Sequence, residues 1–246
     1  MATGGLTLSA APSSATGVTV VGSGAADSIL LGAANHNLSM GDGNDVVDFD
    51  ASFTKDDTLD GGAGVDILNF TAAGTRDISA AEMGSVKNIE VINIASTTGN
   101  AATTIGLGDA FFANNNSSVT VNANLSTAGT TATTKVDGAS VSSGSITLVL
   151  KGDLTNVADS LIGGAGDDIL QLGYKGLAAA SDQDLEANDV FTGNGGTDMI
   201  VFDTQADGTN GGEGAIAATI DFDNVTGVEK ILVKDADGSG AAADTI

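Results

Sequence analysis

Apolar residues arrive in short pulses of two or three, not in helical stripes, and Gly, Asp, Asn, Ser and Thr fill the gaps. Laid in nines, residues 22–48 read GSGAADSIL, LGAANHNLS and MGDGNDVVD. Small residues fill most of the first four places, an Asp (or His36) the sixth and an aliphatic the eighth. The register returns at 52–69 as SFTKDDTLD and GGAGVDILN, at 154–171 as LTNVADSLI and GGAGDDILQ, and at 184–201 as DLEANDVFT and GNGGTDMIV. The consensus is G-G-x-G-x-D-x-(aliphatic)-x. Places seven to nine (Ser28-Ile-Leu30, Ile67-Leu-Asn69, Ile169-Leu-Gln171) predict a three-residue strand whose central aliphatic points inward. Places one to six predict a turn in which several residues need positive φ, hence the glycines. Two strands and two turns complete a coil of 18 residues, with the next coil stacked about 4.8 Å along the axis. The expected fold is all-β, a right-handed parallel β-helix or β-roll solenoid. Helical turns are expected only at Ala80–Gly84 and Leu177–Asn188.

A longer period overlies the nonapeptide. Asp27, Asp57 and Asp66 recur as Asp159, Asp189 and Asp198, each displaced by 132 positions. Val86-Lys-Asn-Ile-Glu-Val-Ile-Asn-Ile94 returns as Val225-Thr-Gly-Val-Glu-Lys-Ile-Leu-Val233, displaced by 139, and Val18-Thr-Val-Val21 parallels Ile146-Thr-Leu-Val149, displaced by 128. The chain is therefore expected to hold two copies of one solenoid unit, residues 1–132 and 133–246, with the Asp blocks at about 22–69 and 154–201. Because it stops at Asp244-Thr-Ile246, it reads as a piece of a longer array. Residues 95–145, rich in Thr, Ser, Ala, Asn and Gly, are expected to form further short coils, since strand-length apolar pulses persist at Thr104–Leu107, Val119–Val121 and Ile146–Leu150.

Composition sharpens this picture. Eight basic and 32 acidic residues give a net charge of −24, which disfavours nucleic acid and anionic membrane surfaces as partners. Five of the acids are Glu (82, 90, 186, 213, 229), which leaves 27 Asp beside 35 Gly. Short carboxylates and glycine in excess belong to tight turns, not helix surfaces. The absence of Cys excludes disulfides and thiolate chemistry. No apolar run approaches the ~18 residues of a membrane span, so no membrane insertion is expected. Met1-Ala-Thr-Gly-Gly carries neither a basic nor an apolar leader segment. Aromatics at 4% point to a core of thin layers built on single aliphatics.

Coil stacking places Asp27 beneath Asp45. Two bare carboxylates about 5 Å apart repel by roughly 3 kcal/mol at an effective dielectric near 20, and a thin core cannot absorb that at every layer. A shared divalent cation can, and oxygen-only ligation from carboxylates and backbone carbonyls suits Ca²⁺ better than Mg²⁺, Zn²⁺ or Cu²⁺. The candidate ligating residues are Asp27, Asp45, Asp57, Asp66, Asp159, Asp168, Asp189 and Asp198. The turn glycines expected to free carbonyls for the ion are Gly22, Gly24, Gly41, Gly43, Gly61, Gly62, Gly64, Gly163, Gly164, Gly166, Gly193 and Gly195. Asp27, Asp45 and Asp66 are expected on one edge, with His36 and Asp57 on the other as a weak or empty site. In the second copy Asp159 and Asp198 are expected on the first edge, with Leu177 in the place of Asp45, and Asp168 facing Asp189 on the second. Asp42, Asp50, Asp60, Asp167, Asp203, Asp221 and Asp223 are unranked further oxygen donors. Glu90 and Glu229, at matching places, read as metal ligands or as makers of a turn hydrogen bond, the turn role being favoured.

GGAGVDIL (61–68) and GGAGDDIL (163–170) resemble the hemolysin-type calcium-binding nonapeptide of RTX proteins, and the nonapeptides cover roughly a quarter of the chain. That resemblance implies a parallel β-roll, Ca²⁺ as the bound cofactor between stacked turns, and export through a type I channel. Alternation of these blocks with Thr/Asn-rich coils and V-x-x-(I/V)-E-x-(I/L) segments is similar to bacterial S-layer proteins and large repeat adhesins. The expected function is a calcium-dependent structural solenoid, secreted to the cell surface, self-associating into a lattice and meeting cell-surface polysaccharide. No catalytic constellation stands out: a Ser-His-Asp triad would have to use His36, and H-E-x-x-H, P-loop and Rossmann patterns are absent. Two alternatives stay open. One is the calcium-binding C-terminal module of a secreted protease, lipase or epimerase; the other is a carbohydrate-binding β-helix, for which exposed aromatics such as Tyr174 are scarce.

Overall fold

Among the described residues most apolar pulses form strands, and the Gly/Asp-rich intervals form the turns that carry the chain to the opposite face. The structure, a computed structural model, describes residues 4–8, 17–32, 34–49, 53–71, 75–95, 102–124, 133–151, 158–172, 185, 187–203, 220–234 and 244–245. In chain order the first strands are β1 (Thr7–Leu8), β2 (Thr19–Val21), β3 (Ser28–Leu31), β4 (Asn37–Ser39), β5 (Val46–Phe49), β6 (Thr58–Asp60), β7 (Ile67–Phe70) and β8 (Arg76–Ile78). Helix α1 (Ala80–Met83) follows, then β9 (Val86–Lys87), β10 (Val91–Ala95), β11 (Thr103–Gly108) and helix α2 (Asp109–Asn114). The remainder are β12 (Ser118–Asn124), β13 (Thr134–Ser140), β14 (Ser145–Lys151), β15 (Ser160–Ile162), β16 (Ile169–Leu172), β17 (Val190–Thr192), β18 (Met199–Asp203), β19 (Val225–Thr226), β20 (Lys230–Lys234) and β21 (Asp244–Thr245).

These strands assemble a parallel β-solenoid. One long sheet runs β1-β3-β5-β7-β10-β12-β14-β16-β18-β20, parallel throughout, and ends on antiparallel β21. The opposite face is split into a four-stranded sheet, β2-β4-β6-β9, and a six-stranded sheet, β8-β11-β13-β15-β17-β19. The switch occurs inside the coil that follows β7, which contributes β8 to the second short sheet and β9 to the end of the first. Between them α1 is held by a capping box, in which Ser79 accepts from the Glu82 amide and Glu82 accepts from the Ser79 amide. The long sheet crosses the 132/133 boundary directly, since β12 pairs with β14 over seven residues.

Strand alternation lays two inward rows along the axis. Ile29, Val47, Leu68, Ile92, Val121, Leu148, Leu170 and Ile200 are register partners in the first. Leu31, Phe49, Phe70, Ile94, Ala123, Leu150, Leu172 and Phe202 form the second. All sixteen are buried. The core is thicker than single aliphatics, because seven of the eight Phe are buried in it. Phe53 stands edge-on between Phe49 and Phe70, with ring centroids 5.0 and 5.9 Å away. Such pairs add about 0.5–1.5 kcal/mol each beyond their burial.

Helix α2 departs from the expectation that nothing else is helical. Its sequence, DAFFAN, buries the adjacent Phe111 and Phe112, which a strand would send to opposite faces. The Asn114 and Asn115 side-chain amides donate to the Ala110 and Phe111 carbonyls at 2.9 and 2.6 Å, satisfying the helix end. Of the second expected helical segment, residues 177–184 and 186 lie outside the described residues. Residues 95–145 do contribute coils, through β11, β12 and β13.

Candidate cation-binding turns

All eight sixth-place aspartates stand at the start of a strand and are at most 4% exposed. Each accepts, on Oδ1, the backbone N–H of the register-matched residue one coil earlier. Leu6 donates to Asp27, Asp27 to Asp45 (2.7 Å), Asp45 to Asp66 (2.8 Å), and Asp66 to Glu90 Oε2 (2.8 Å). A second ladder on the same edge runs from Ile146 to Asp168 (2.7 Å), Asp198 (2.7 Å) and Glu229 Oε2 (2.8 Å). On the opposite edge His36 donates to Asp57 (2.7 Å), Thr134 to Asp159, and Asp159 to Asp189 (3.0 Å). The stacked carboxylates therefore do not face one another bare, because an amide hydrogen lies between successive members and offsets part of their repulsion.

The first copy follows the expected edges; the second does not. Asp168 stacks with Asp198 and Asp159 with Asp189, each pair 30 residues apart, whereas the sequence reading set Asp159 with Asp198 and Asp168 against Asp189. The physical reason is coil length. A 21-residue interval is a whole coil at Asp45–Asp66, but the 21 residues from Asp168 to Asp189 reach only the opposite edge. The same flip breaks the parallel between Val18–Val21 and Ile146–Val149, since β2 lies on a short sheet and β14 on the long one. Leu177, Tyr174 and Asp50 lie outside the described residues.

What the second oxygen does divides the aspartates. Asp27 Oδ2 accepts from Ser23 N (2.7 Å), Asp168 Oδ2 from Gly164 N (2.8 Å), and Asp57 Oδ2 from Thr54 N (2.8 Å) and Oγ1 (3.0 Å). Asp45, Asp66, Asp159 and Asp198 each keep a buried Oδ2 with no hydrogen-bond partner. An unsatisfied buried charge of this kind costs several kcal/mol unless it is neutralised. Burial accordingly raises the Asp45 and Asp198 carboxyls above the ordinary range, against the amide bonds they accept. It pushes Asp66 to about 6, with the charges of Asp45, Glu90 and Asp60 adding to the effect. It also pushes Asp168 to about 6 and Asp159 to about 7, the latter helped by the charge of Asp189. Asp27 is the exception: burial raises it, but the amides of Leu6 and Ser23 and the Ser23 hydroxyl together hold it lower.

The turn glycines let successive coils pack closely against one another. Gly62 and Gly64, at φ 102° and 146°, stack on Gly41 and Gly43, and a methyl group on either would overlap the backbone beneath it. Place-one glycines act differently. A Cβ at Gly61 would lie 2.8 Å from Asp66 Oδ2 and 2.2 Å from Asn88 O of the next coil; at Gly193 it would lie 2.2 Å from Asp198 Oδ2 and 2.1 Å from Gly227 O. Gly22 and Gly163 frame the same notch over Asp27 and Asp168, where Oδ2 is already taken. A Cβ at Gly166 would collide with Gly144 O and at Gly164 with Val141, while nothing in the structure explains glycine at 24 or 195.

Calcium therefore fits unevenly. Among the described residues no three His, Asp or Glu side chains gather as a metal-holding group, so a cation would draw on one carboxylate oxygen and backbone carbonyls. The donor chemistry fits at Asp45, Asp66 and Asp198. Asp159 borders a cavity of about 10 Å³ lined by Leu150, Leu161, Leu170, Leu172 and Leu185, which suits one water better than a six- to eight-coordinate ion. His36 takes the ladder place of an Asp, with Nδ1 accepting from Val18 N (3.2 Å) and Nε2 3.1 Å from Gly32 O. Asp60 and Asp167 are engaged as acceptors by Asn88 Nδ2 and Thr197 N.

Sequence reasoning missed the amide-to-carboxylate ladder, whereas the turn hydrogen-bond role favoured for Glu90 and Glu229 is the one they take, as its last rungs. Their recurrence three places after Val86-Lys and Val225-Thr, at the close of each Asp run, was the available signal. No protein-family model, curated protein or solved structure matches this chain.

Proposed function

We propose that this chain is a calcium-dependent structural solenoid, an extracellular building element of the surface-layer or repeat-adhesin kind, without catalytic activity. The observation that carries this reading is the set of buried, unpartnered Oδ2 atoms at Asp45, Asp66 and Asp198, held in turns whose neighbours in the ladder are equally acidic. Calcium, when bound, would supply the positive charge that these oxygens lack. The chain's own part is to hold each carboxylate by its Oδ1 amide bond, to exclude bulk water, and to keep the turn narrow through glycine. Asp27 and Asp168 would first have to release the Ser23 and Gly164 amides.

Ligation of this kind couples folding to the compartment. A site of Kd near 0.1 mM gains about 1.4 kcal/mol at ~1 mM extracellular calcium and almost nothing at cytosolic levels. Three sites then give about 4 kcal/mol, close to the whole stability of a marginal domain. Such a chain stays open for export through a type I channel and closes outside the cell. The same ions would screen an acidic solenoid of net charge −24 from its own copies, which favours ordered self-association and leaves cell-surface polysaccharide as a further partner. A calcium titration of the metal-free chain, followed by far-UV circular dichroism and light scattering together, tests both halves. The expected result is β-structure and then particle growth as calcium rises; unchanged spectra and particle size across the titration overturn the reading.

A further inference from the structure

The two V-x-(N/G)-(I/V)-E segments have no part in the nonapeptide pattern, yet they take the same position in both halves of the solenoid. β9 and β19 each close a short-sheet stack and lead through a tight turn into a long-sheet strand. In that turn Asn88 (φ 52°) and Gly227 (φ 66°) adopt the left-handed conformation, and both carbonyls come to lie over the place-one glycine beneath, Gly61 or Gly193. Two residues later Glu90 and Glu229 accept the amides of Asp66 and Asp198.

We propose that each of these junctions is a divalent-cation site of mixed construction, one per copy, formed between the last Asp turn and the Glu turn rather than between two Asp turns. The first comprises Asp66 Oδ2, Asn88 O and the charge of Glu90; the second comprises Asp198 Oδ2, Gly227 O and the charge of Glu229. Two observations carry it independently. Asp66 and Asp198 are 1% exposed, and their Oδ2 atoms are without partners. Each lies within 2.8 Å of where a Cβ on Gly61 or Gly193 would stand, and a carbonyl oxygen of the next coil lies against the same glycine. Over Asp27 and Asp168, which begin these two ladders, the matching glycines Gly22 and Gly163 adjoin an Oδ2 that the Ser23 or Gly164 amide already occupies. Oxygen donors of this sort, one anionic and one carbonyl with a second carboxylate alongside, suit Ca²⁺.

The site rests on the calcium reading above, and one experiment separates the two. Full-length chain, stripped of metal, is titrated with CaCl₂ by calorimetry at pH 7.5, and bound ions are counted by native mass spectrometry. G61A and G193A are each expected to bind one ion fewer than the parent. E90Q and E229Q keep an acceptor for the Asp66 and Asp198 amides; each is expected to retain the ion count while weakening one site about tenfold. D77N removes an exposed charge on β8 and is expected to change nothing. Should the alanine variants not fold, the glutamine variants decide. Unchanged stoichiometry in folded G61A and G193A, or E90Q and E229Q binding like D77N, overturns the junction sites while leaving calcium binding intact. No calcium uptake by the parent chain overturns both.

Discussion

In chelated buffer the solenoid should be most stable in mild acid and lose stability towards neutrality, the reverse of most acidic proteins. Asp66, Asp168 and Asp159 have folded-state carboxyls at about 6, 6 and 7, against 3.8 in the open chain. Because these values are raised, the folded state holds protons that the unfolded state releases. The stabilisation is fully present below pH 3.8 and disappears as pH climbs through 6 to 7. At about 1.4 kcal/mol per unit, Asp159 contributes on the order of 4 kcal/mol and Asp66 and Asp168 about 3 each as upper values. Asp66 and Asp168 lie nearer solvent than Asp159, and halving those two shares for screening leaves about 7 kcal/mol in all, enough to dominate a domain stable by about 5–15. Urea unfolding in excess EGTA, followed by circular dichroism at pH 4.5 and pH 8, measures the difference directly. A midpoint that is equal at the two values, or higher at pH 8, refutes the assignment of these buried oxygens as uncompensated. With saturating calcium the dependence should invert, because calcium and protons compete for the same carboxylates.

Four substitutions test other parts of the structure. G62A places a methyl group against the Gly41 carbonyl at a φ of 102°, so its melting temperature should fall by more than 5 °C with or without calcium. F49A removes the ring that packs on Phe53 and should cost about 3–5 kcal/mol by urea unfolding, whereas F222A, 41% exposed, should cost under about 0.5. N93A interrupts the outward amide ladder Asn122–Asn93–Asn69–Asp48 and should cost about 1 kcal/mol, read as a small shift in the urea midpoint.

Much of the solenoid was legible because its determinants are local. Strand placement follows from pulses such as Ser28-Ile-Leu30, and turn placement from Gly-Asp spacing; both recur often enough to fix the period. Edge assignment was legible only where coils are short. From Asp27 to Asp66 the half-coils are nine residues long except for the twelve from Asp45 to Asp57, whereas the chain between Asp168 and Asp189 is long enough to land on either edge, and only strand pairing decides between them. Burial of Phe53, Phe111 and Phe112 depends on contacts between coils, which no local pattern encodes. The aspartates themselves were visible, but their division into satisfied and unsatisfied members was not. That division turns on whether a second-place amide, as at Ser23 or Gly164, rotates towards Oδ2, or whether the second-place residue takes the left-handed conformation, as Gly41, Gly62 and Asn194 do.

The most direct test of the central claim is thermal melting of the intact chain at pH 7.4, in excess EGTA and again in about 2 mM calcium. Three sites of Kd near 0.1 mM give about 5 kcal/mol, so calcium should raise the transition by 10 °C or more, and chelation should return it. Coincident melting curves in the two buffers would mean that the buried aspartates are content without a cation, and the account would be wrong.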